Sequence, residues 1–505
     1  MREVELISVP KKGEVYQVLE FVIRVSNQNF LNPFTEVSVK GVFSKDDGET
    51  KTIKGFCDSY DGSLYKVRFT PQSVGTYKYE ITYRDSETFQ VFRGIFDVVA
   101  SSRKGFIRAD PNNPYHFIYE NGGHPFIFSK TAWMIGASRN WYAFIDNCRK
   151  DGFTCIRFAL EGKFFSQGMG DVWPWGGTRN NLGGQRDFTK FNVSQWRIFD
   201  DIIQYALSRE ILVEPVVFTS IRKREFASYP IPDPTMELYW DYILARLSGY
   251  PNIVLWELFN EFDKEYDYQK YMGTYFHEHD PYKHLVATSF GTTGTAAWAD
   301  KDWVDVAIYH SCTGDGDHGF PISWYYEQAT KIHKYNKPAW CDETGREVRH
   351  KNNDGVHRRK QYWTWYMAGD YTNYHSHGGC QDIESLLKGP GEEYCKYITS
   401  FLEKIRWWEM NPKNETIVST PNVTGAFCLL SENECVVYLY LEKTGGVCDG
   451  GTLNLRLPQA TYSAKLYNPS DGTYLEPKEL IYTNNIVSIN IPRFKDDLVV
   501  YLSKR

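Results

Sequence analysis

Residues 252–261 combine an apolar, tryptophan-containing run with an Asn-Glu pair at its end. Residues 337–345 repeat the pattern, because a short apolar stretch ends in Asp342-Glu343 and a turn follows. Buried strands that end in a carboxylate are typical of parallel barrels, in which catalytic groups gather at the carboxyl ends of the strands. The two segments therefore predict a parallel barrel with Glu261 and Glu343 at one mouth.

The middle of the chain, residues 105–410, alternates short apolar runs with longer stretches of helical pattern. This alternation predicts βα units around a parallel sheet. Strands are predicted at 126–132, 154–159, 211–218, 253–260, 285–290, 304–309, 338–342 and 370–375. Helices are predicted at 139–151, 194–209, 235–249, 323–335 and 356–368. Eight such units indicate an α/β fold of the (β/α)8, or TIM-barrel, type.

Both ends of the chain have the pattern of β structure. Residues 1–99 contain alternating runs such as 64–69 and 75–83 between turn residues, which predicts an N-terminal Ig-like β-sandwich. Residues 411–505 return to this pattern, with a buried type of strand at 436–441, and predict a C-terminal β-sandwich. The predicted fold is a TIM barrel flanked by two β-sandwiches.

Composition narrows the class of function. The formal net charge of −6 offers no basic surface for a nucleic acid, and no apolar run reaches the length of a membrane helix. The aromatic content of 16% is high, and is typical either of a well-packed core or of surfaces that stack on sugar rings. The ten cysteines include no Cys-x-x-Cys pair, so neither a metal nor a cofactor is predicted. The chain enters strand-like sequence at once, which favours a cytoplasmic location, although a secreted protein without its leader would look the same.

Hydrolysis of a glycosidic bond needs two carboxyl groups that flank the bond, and two glutamates at the ends of two strands can supply them. The two segments resemble clan A of the glycoside hydrolases, the retaining barrels that include family 5. Asn260-Glu261 matches the pair after strand four of that clan, and Glu343 matches the glutamate that closes strand seven. The resemblance implies that Glu261 is the acid/base, that Glu343 is the nucleophile and that Asn260 binds the sugar 2-hydroxyl.

Further residues follow the same resemblance. Arg157 matches the strand-two arginine that orients the nucleophile, and Tyr309-His310 matches the aromatic and histidine found after strand six. Family 5 usually has a tryptophan at the end of strand eight, where this chain has Tyr374-His375. All five residues are predicted to contact substrate or orient the catalytic groups. Because the sugar-contacting wall differs, endoglucanase activity is not implied.

The whole chain resembles a group of multidomain glycosidases with a DUF5060 sandwich and a DUF4038-related barrel. The segments that carry this resemblance are 104–108, 115–117, 121–126, 131–133, 173–177 and 191–192. The C-terminal segment resembles the small collagen-binding-type β domain that often follows such barrels. A second departure from family 5 is the replacement of a histidine after strand three by residues 218–220.

Some assignments have structural alternatives. Trp173 and Trp175 lie in a Gly-rich loop after strand two, where we expect stacking on substrate, with local packing as the alternative. Asp342 is expected to point to the side of the strand opposite Glu343. His375, His377 and Cys380 could suggest a metal site, but no further ligand at a suitable spacing supports it, so no metal site is predicted there.

Glu257 is expected to face the barrel interior, because it lies within the apolar run rather than after it. Glu257, Glu261 and Glu265 follow one another at intervals of four residues, which would also suit one face of a helix, but the apolar run favours a strand.

The sequence therefore predicts a retaining glycosidase that acts on β-linked oligo- or polysaccharides, with carboxyl groups roughly 5–5.5 Å apart. A carbohydrate is the predicted partner, and the sequence does not decide between a monomer and a homo-oligomer. Two alternatives are a carbohydrate-binding or scaffold protein that has lost catalysis, and a transglycosylase that uses the same residues.

Overall fold

The computed structural model describes residues 2–162, 172–177, 187–219, 230–292, 294–311, 320–345, 353–376, 383–482 and 485–505, with the backbone alone for 476–482. Its centre is an eight-stranded parallel sheet. The strands are β1 (Phe128–Thr131), β2 (Cys155–Ala159), β3 (Leu212–Phe218), β4 (Leu255–Phe259), β5 (Leu285–Ala287), β6 (Ala307–His310), β7 (Ala339–Glu343) and β8 (Tyr371–Tyr374). Their order is β5-β4-β3-β2-β1-β8-β7-β6. Because β1 pairs with β8, the sheet curls into a barrel, and the predicted (β/α)8 fold is confirmed.

The barrel closes between β5 and β6 through one residue, Asp305. The amide of Asp305 donates to the carbonyl of Val286 at 2.8 Å, and the amide of Val286 donates to Oδ2 of Asp305 at 2.8 Å. These bonds join the two edges of the sheet where no ladder is formed between the described strands.

Helices cover the outside of the barrel. They are α1 (Trp141–Lys150), α2 (Val193–Ser208), α3 (Pro234–Leu247), α4 (Tyr266–His279), α5 (Ile322–Ile332), α6 (Gly355–Met367) and α7 (Glu392–Leu402). Asn192, Asp233 and Asp354 accept hydrogen bonds from the first-turn amides of α2, α3 and α6, which explains where these helices begin. None of the helices in the described ranges is long and apolar enough to cross a membrane.

The N-terminal sandwich consists of two sheets. One contains Glu3–Ser8, Leu19–Ser26, Leu64–Phe69 and Phe56–Cys57, and the other Lys12–Glu14, Phe89–Val99, Gly75–Arg84, Ser38–Ser44 and Thr50–Lys54. Alternate residues of these strands point inward and form a core rich in aromatic rings. Tyr282, which lies between α4 and β5, belongs to this core, and its hydroxyl accepts from the amide of Thr70 at 2.6 Å. The hairpin Ile107–Ala109 and Phe117–Tyr119 leads from the sandwich into the barrel.

A fully buried arginine lies in the seam between the N-terminal sandwich and the barrel. Nη1 of Arg68 donates to Oδ1 of Asp200 on α2 at 2.9 Å and to the carbonyl of Arg246 on α3. Nε donates to Oε1 of Glu20 at 3.0 Å. The guanidinium carbon also lies 4.8 Å from the ring centroid of Tyr250. One cation therefore holds together acidic groups from both parts of the chain.

The C-terminal sandwich packs against other helices of the barrel than the N-terminal one does. Its larger sheet contains Asn411–Pro412, Gly425–Leu430, Glu434–Tyr440, Asp497–Lys504, Thr461–Asn468 and Thr473–Tyr482, and its smaller sheets contain Ile417–Ser419, Gly451–Arg456, Ile486–Ile491, Val447–Cys448 and Phe494–Lys495. The large sheet meets α6, where the rings of Tyr438 and Trp363 stack with centroids 5.6 Å apart. Arg359 on α6 donates to Asp497 at 2.5 Å. The residue bounds proposed for the three parts stay predictions.

Candidate active site

Glu261 lies just beyond the carboxyl end of β4. The strand is buried on both faces, and alternation along it directs Glu257 into the barrel interior. After the strand, Glu261 adopts a left-handed backbone conformation with φ of 52°. Its side chain is 33% exposed, and Oε1 lies 3.2 Å from Nδ1 of His310. The end of β4 therefore offers a carboxylate at the barrel mouth, where a ligand can reach it.

Glu343 is the last residue of β7 and faces the same site. The ladder between β6 and β7 is irregular here, so that His310 pairs with Glu343 and Asp342 is an extra residue. Such a β-bulge turns two successive side chains toward the barrel interior. The prediction that Asp342 points away from Glu343 is wrong, because both carboxylates lie against the same arginine.

That arginine is Arg157 on β2, which is fully buried. Nε and Nη2 donate to the two carboxylate oxygens of Glu257, both at 2.7 Å. Nη1 lies 3.2 Å from Oε2 of Glu343, and Nε lies 3.1 Å from Oδ2 of Asp342. Nη2 also donates to Oδ1 of Asn260 at 2.8 Å. One guanidinium thus connects the ends of β4 and β7.

The two candidate catalytic carboxylates face each other. A carboxylate oxygen of Glu261, a carboxylate oxygen of Glu343 and a ring nitrogen of His310 lie within 4.8 Å of one another. Both glutamates can therefore contact the same sugar ring. Atoms this close could also surround a cation, but Arg157 already places a positive charge beside Glu343, which favours acid–base chemistry at this position.

Burial and neighbouring charges shift the pKa values of the charged groups in the barrel interior next to Glu261 and Glu343. Burial alone would lower the pKa of the Arg157 guanidinium, but Asp342 and Glu257 raise it well above its ordinary value. Burial raises the pKa of Glu257, against the opposing effect of Arg157. Burial also raises the pKa of Glu214 on β3, and the charges of Asp342 and Glu257 add to this shift. The site therefore contains a permanent cation and a buried carboxyl group, Glu214, whose pKa is raised.

Two histidines complete the site. Nδ1 of His375, directly after β8, lies 3.3 Å from Oε1 of Glu343. His310 lies between two carboxylates, with Nε2 3.1 Å from Oδ1 of Asp342 and Nδ1 near Glu261. The structure thus brings together the two glutamates and four of the predicted substrate-contacting residues, which are Arg157, Asn260, His310 and His375.

Two other predicted contacts, Tyr309 and Tyr374, lie away from this cluster. The Tyr309 hydroxyl donates to Oδ2 of Asp370 at 2.6 Å, and the Tyr374 hydroxyl donates to the carbonyl of Pro390 at 3.1 Å. Both residues are fully buried. Side chains alternate along a strand, so the residue before each strand-end histidine faces the helices instead of the site. Their placement does not support the prediction that they bind substrate.

The two loop tryptophans are packed. Trp175 is 1% exposed and Trp173 is 5% exposed. The Trp175 ring lies 4.5 Å from that of Tyr239 and 5.2 Å from that of Phe188, measured between centroids. Nε1 of Trp173 donates to the carbonyl of Gly176 at 3.3 Å. These contacts favour the packing alternative over stacking on substrate.

We therefore expect Trp175→Ala to act on stability. Removal of the buried ring should lower the free energy of unfolding by about 3–5 kcal/mol, because it leaves a cavity. Thermal denaturation and steady-state kinetics of the same preparation check this, with Tyr142→Ala as a control at a side chain that is 49% exposed. A raised KM with an unchanged melting temperature would instead indicate that Trp175 stacks on substrate.

Two residues near the site were not predicted to take part. The Trp133 ring lies 4.5 Å from the guanidinium carbon of Arg157, and the Ser289 hydroxyl donates to Oε1 of Glu257 at 2.7 Å. Trp133 belongs to the segment 131–133 that carried the family resemblance, which was a usable signal. A serine after a short strand gives no comparable signal.

Three positions named in the sequence analysis lie outside the described residues. They are Ser220, at the end of the departure after strand three, and His377 and Cys380 of the alternative metal site. Of that alternative, the structure describes His375, which lies beside Glu343.

Two solved structures with related folds are described as glycoside hydrolases. A proposed glycoside hydrolase from Bacteroides vulgatus ATCC 8482 superposes with a TM-score of 0.79 at 18% identity, over 98% of this chain and 100% of that one. A family 5 glycoside hydrolase from the same organism gives a TM-score of 0.60 at 15% identity, over 79% and 93% of the two chains. At these identities the likeness is one of fold.

Family models match two parts of the sequence. Residues 12–84 match DUF5060, a domain of unknown function, and no curated protein matches the chain. Residues 111–409 match the family described as Apiosidase-like, catalytic domain. These matches confirm the predicted glycoside hydrolase class and the DUF5060 domain. Because the second match covers more than half of the 505 residues, this protein belongs to the Apiosidase-like catalytic domain family.

Proposed function

We propose that this protein is a retaining glycosidase that cleaves β-linked glycosides by double displacement. The observation that carries the proposal is the approach of the Glu261 and Glu343 carboxylates, whose oxygens lie within 4.8 Å of each other. Retaining enzymes hold their two carboxyl groups about 5–5.5 Å apart, whereas inverting enzymes need about 6.5–9.5 Å to admit a water molecule between carboxylate and sugar.

In the first step, an oxygen of Glu343 attacks the anomeric carbon and the bond to the leaving oxygen breaks. Glu261 gives its proton to that oxygen, so the leaving group departs neutral. Arg157 lies 3.2 Å from Glu343 and favours the ionised form of the attacking carboxylate. The product of this step is a glycosyl ester of Glu343.

In the second step, water attacks the same carbon and the ester bond to Glu343 breaks. The Glu261 carboxylate takes a proton from the water and is ready for the next cycle. His310 lies between Glu261 and Asp342, with its Nδ1 3.2 Å from Oε1 of Glu261. A hydrogen bond at Nδ1 can stabilise the ionised or the protonated form of the Glu261 carboxyl group. Two inversions at the anomeric carbon leave its configuration unchanged.

The family description supports a first choice of substrate. Apiosidases release apiosyl residues, and the match over residues 111–409 makes an aryl apioside the leading candidate among aryl β-glycosides.

The test combines a panel of aryl β-glycosides and plant polysaccharides with proton NMR of the first-formed sugar. We expect cleavage of at least one glycoside, with the β anomer appearing first and the α anomer growing only by mutarotation. An α anomer at the earliest time would show inversion and contradict the mechanism. Glycosyl transfer to added acceptor sugars in place of hydrolysis would favour the transglycosylase, and binding without cleavage would favour the scaffold protein.

A further inference from the structure

The backbone of Glu261 is held in a conformation that glutamate seldom adopts. Its φ of 52° lies in the left-handed region, which is sparsely populated by residues other than glycine, asparagine and aspartate. Such a conformation persists only where its surroundings determine it, and it is common at functional sites. The neighbours that hold this residue therefore also set the direction of its carboxylate.

Ser289 makes three hydrogen bonds to the backbone of this segment. It lies two residues beyond β5 and is fully buried. Its Oγ accepts from the amide of Glu261 at 3.0 Å. Its own amide donates to the carbonyl of Phe259 at 3.0 Å, and its carbonyl accepts from the amide of Phe262 at 2.9 Å. Three of the four residues 259–262 are thus hydrogen-bonded to one serine.

The hydroxyl of Ser289 has a defined direction. Because a backbone amide can only donate, Oγ must accept from Glu261. Its single hydrogen is directed to Oε1 of Glu257 at 2.7 Å, which is a much shorter contact than the 3.4 Å to the carbonyl of Phe259. Glu257 is held in turn by two bonds from Arg157, the residue that also contacts Glu343. The chain of contacts runs without a break from the backbone of one glutamate to the side chain of the other.

We propose that Ser289 is a positioning residue that fixes Glu261 for proton transfer to the leaving group. It does so by tying the left-handed backbone of Glu261, through Glu257 and Arg157, to the frame that carries Glu343. The catalytic part of this proposal rests on the proposed function, which assigns proton transfer to Glu261. The statement that Ser289 holds the backbone of Glu261 does not depend on that function. Without the hydroxyl, the Glu261 amide loses its acceptor and the acid moves relative to the nucleophile.

Kinetics of Ser289→Ala test this role on aryl glycosides that differ in leaving-group pKa. We expect kcat/KM to fall about 10- to 100-fold for poor leaving groups and little for activated ones, so that the dependence on leaving-group pKa becomes steeper. In a Glu261→Ala background, Ser289→Ala should cause no further loss, because the group on which it acts is absent. Thr288→Val is the matched control, since that neighbouring buried hydroxyl donates to Gln269 at 2.8 Å and lies 3.3 Å from the carbonyl of Phe259, rather than joining Glu261 to Glu257.

An equal loss on all leaving groups, or a loss that adds to that of Glu261→Ala, would reduce Ser289 to a structural role. A crystal structure of Ser289→Ala provides a readout without activity. We expect residue 261 to leave the left-handed region, and a φ that stays near 52° would overturn the proposal. If the unsubstituted protein cleaves no glycoside, the proposed function fails, whereas the backbone readout still decides whether Ser289 holds Glu261.

Discussion

Replacement of Glu343 by alanine is expected to abolish turnover of every glycoside. No covalent intermediate can form without this carboxylate, and loss of a nucleophile lowers kcat by about 10⁴-fold or more in well-studied enzymes. Steady-state rates on activated and unactivated substrates check this. Added azide should occupy the space of the missing side chain and give a glycosyl azide of inverted configuration.

Glu261→Ala is the matched variant on the other side of the site. Its loss should be about 10²–10⁴-fold on substrates with poor leaving groups, which need the proton, and small for the glycosylation step of activated aryl glycosides. Azide should rescue this variant by attacking the glycosyl ester from the side of the missing base, giving a product of retained configuration. If both variants show the same leaving-group dependence and the same azide product, the roles of the two glutamates are wrongly assigned.

Arg68→Met should destabilise the contact between the N-terminal sandwich and the barrel. The substitution keeps the apolar stem of the side chain but leaves carboxylates of Asp200 and Glu20 without their shared cation. Removal of one partner from a buried ion pair lowers stability by about 3–5 kcal/mol. We expect a value near the lower end, because Arg246 still contacts Asp200 at 2.7 Å.

Chemical denaturation followed by tryptophan fluorescence measures this loss, and limited proteolysis shows whether the sandwich separates from the barrel. Arg93→Met is the control, since its pair with Glu80 lies on the surface with side chains 69% and 43% exposed. Exposed pairs contribute little to stability. Equal stabilities for the two variants would show that the Arg68 seam does not hold the domains together.

The fold could be predicted because hydrophobic burial gives a strong pattern. β4 and β7 are buried on both faces and therefore appear in the sequence as short apolar runs. The glutamate that reaches the site lies just after β4 and at the last position of β7. The glutamates themselves were visible for the same reason. Helix α4 was not among the predicted helices, since its many tyrosines and charged residues give a weak apolar stripe.

The side chains around the glutamates were harder to predict. Neighbouring residues at a strand end face opposite sides, so a match to Tyr309-His310 could not decide which of the two enters the site. The bulge at Asp342 depends on how β6 pairs with β7, so the sequence of either strand alone does not predict it. Packing of Trp175 on Tyr239 likewise depends on a helix that lies far away in sequence.

Tyr282 makes the core of the N-terminal sandwich depend on a residue contributed by the barrel. A gene fragment that ended near residue 99 would encode strands whose core lacks this ring and whose Thr70 amide lacks its acceptor. Recombination that exchanged sandwiches between relatives would meet the same difficulty unless the tyrosine were inherited with them. The two parts are therefore expected to evolve together, as one heritable unit, although they match separate family models.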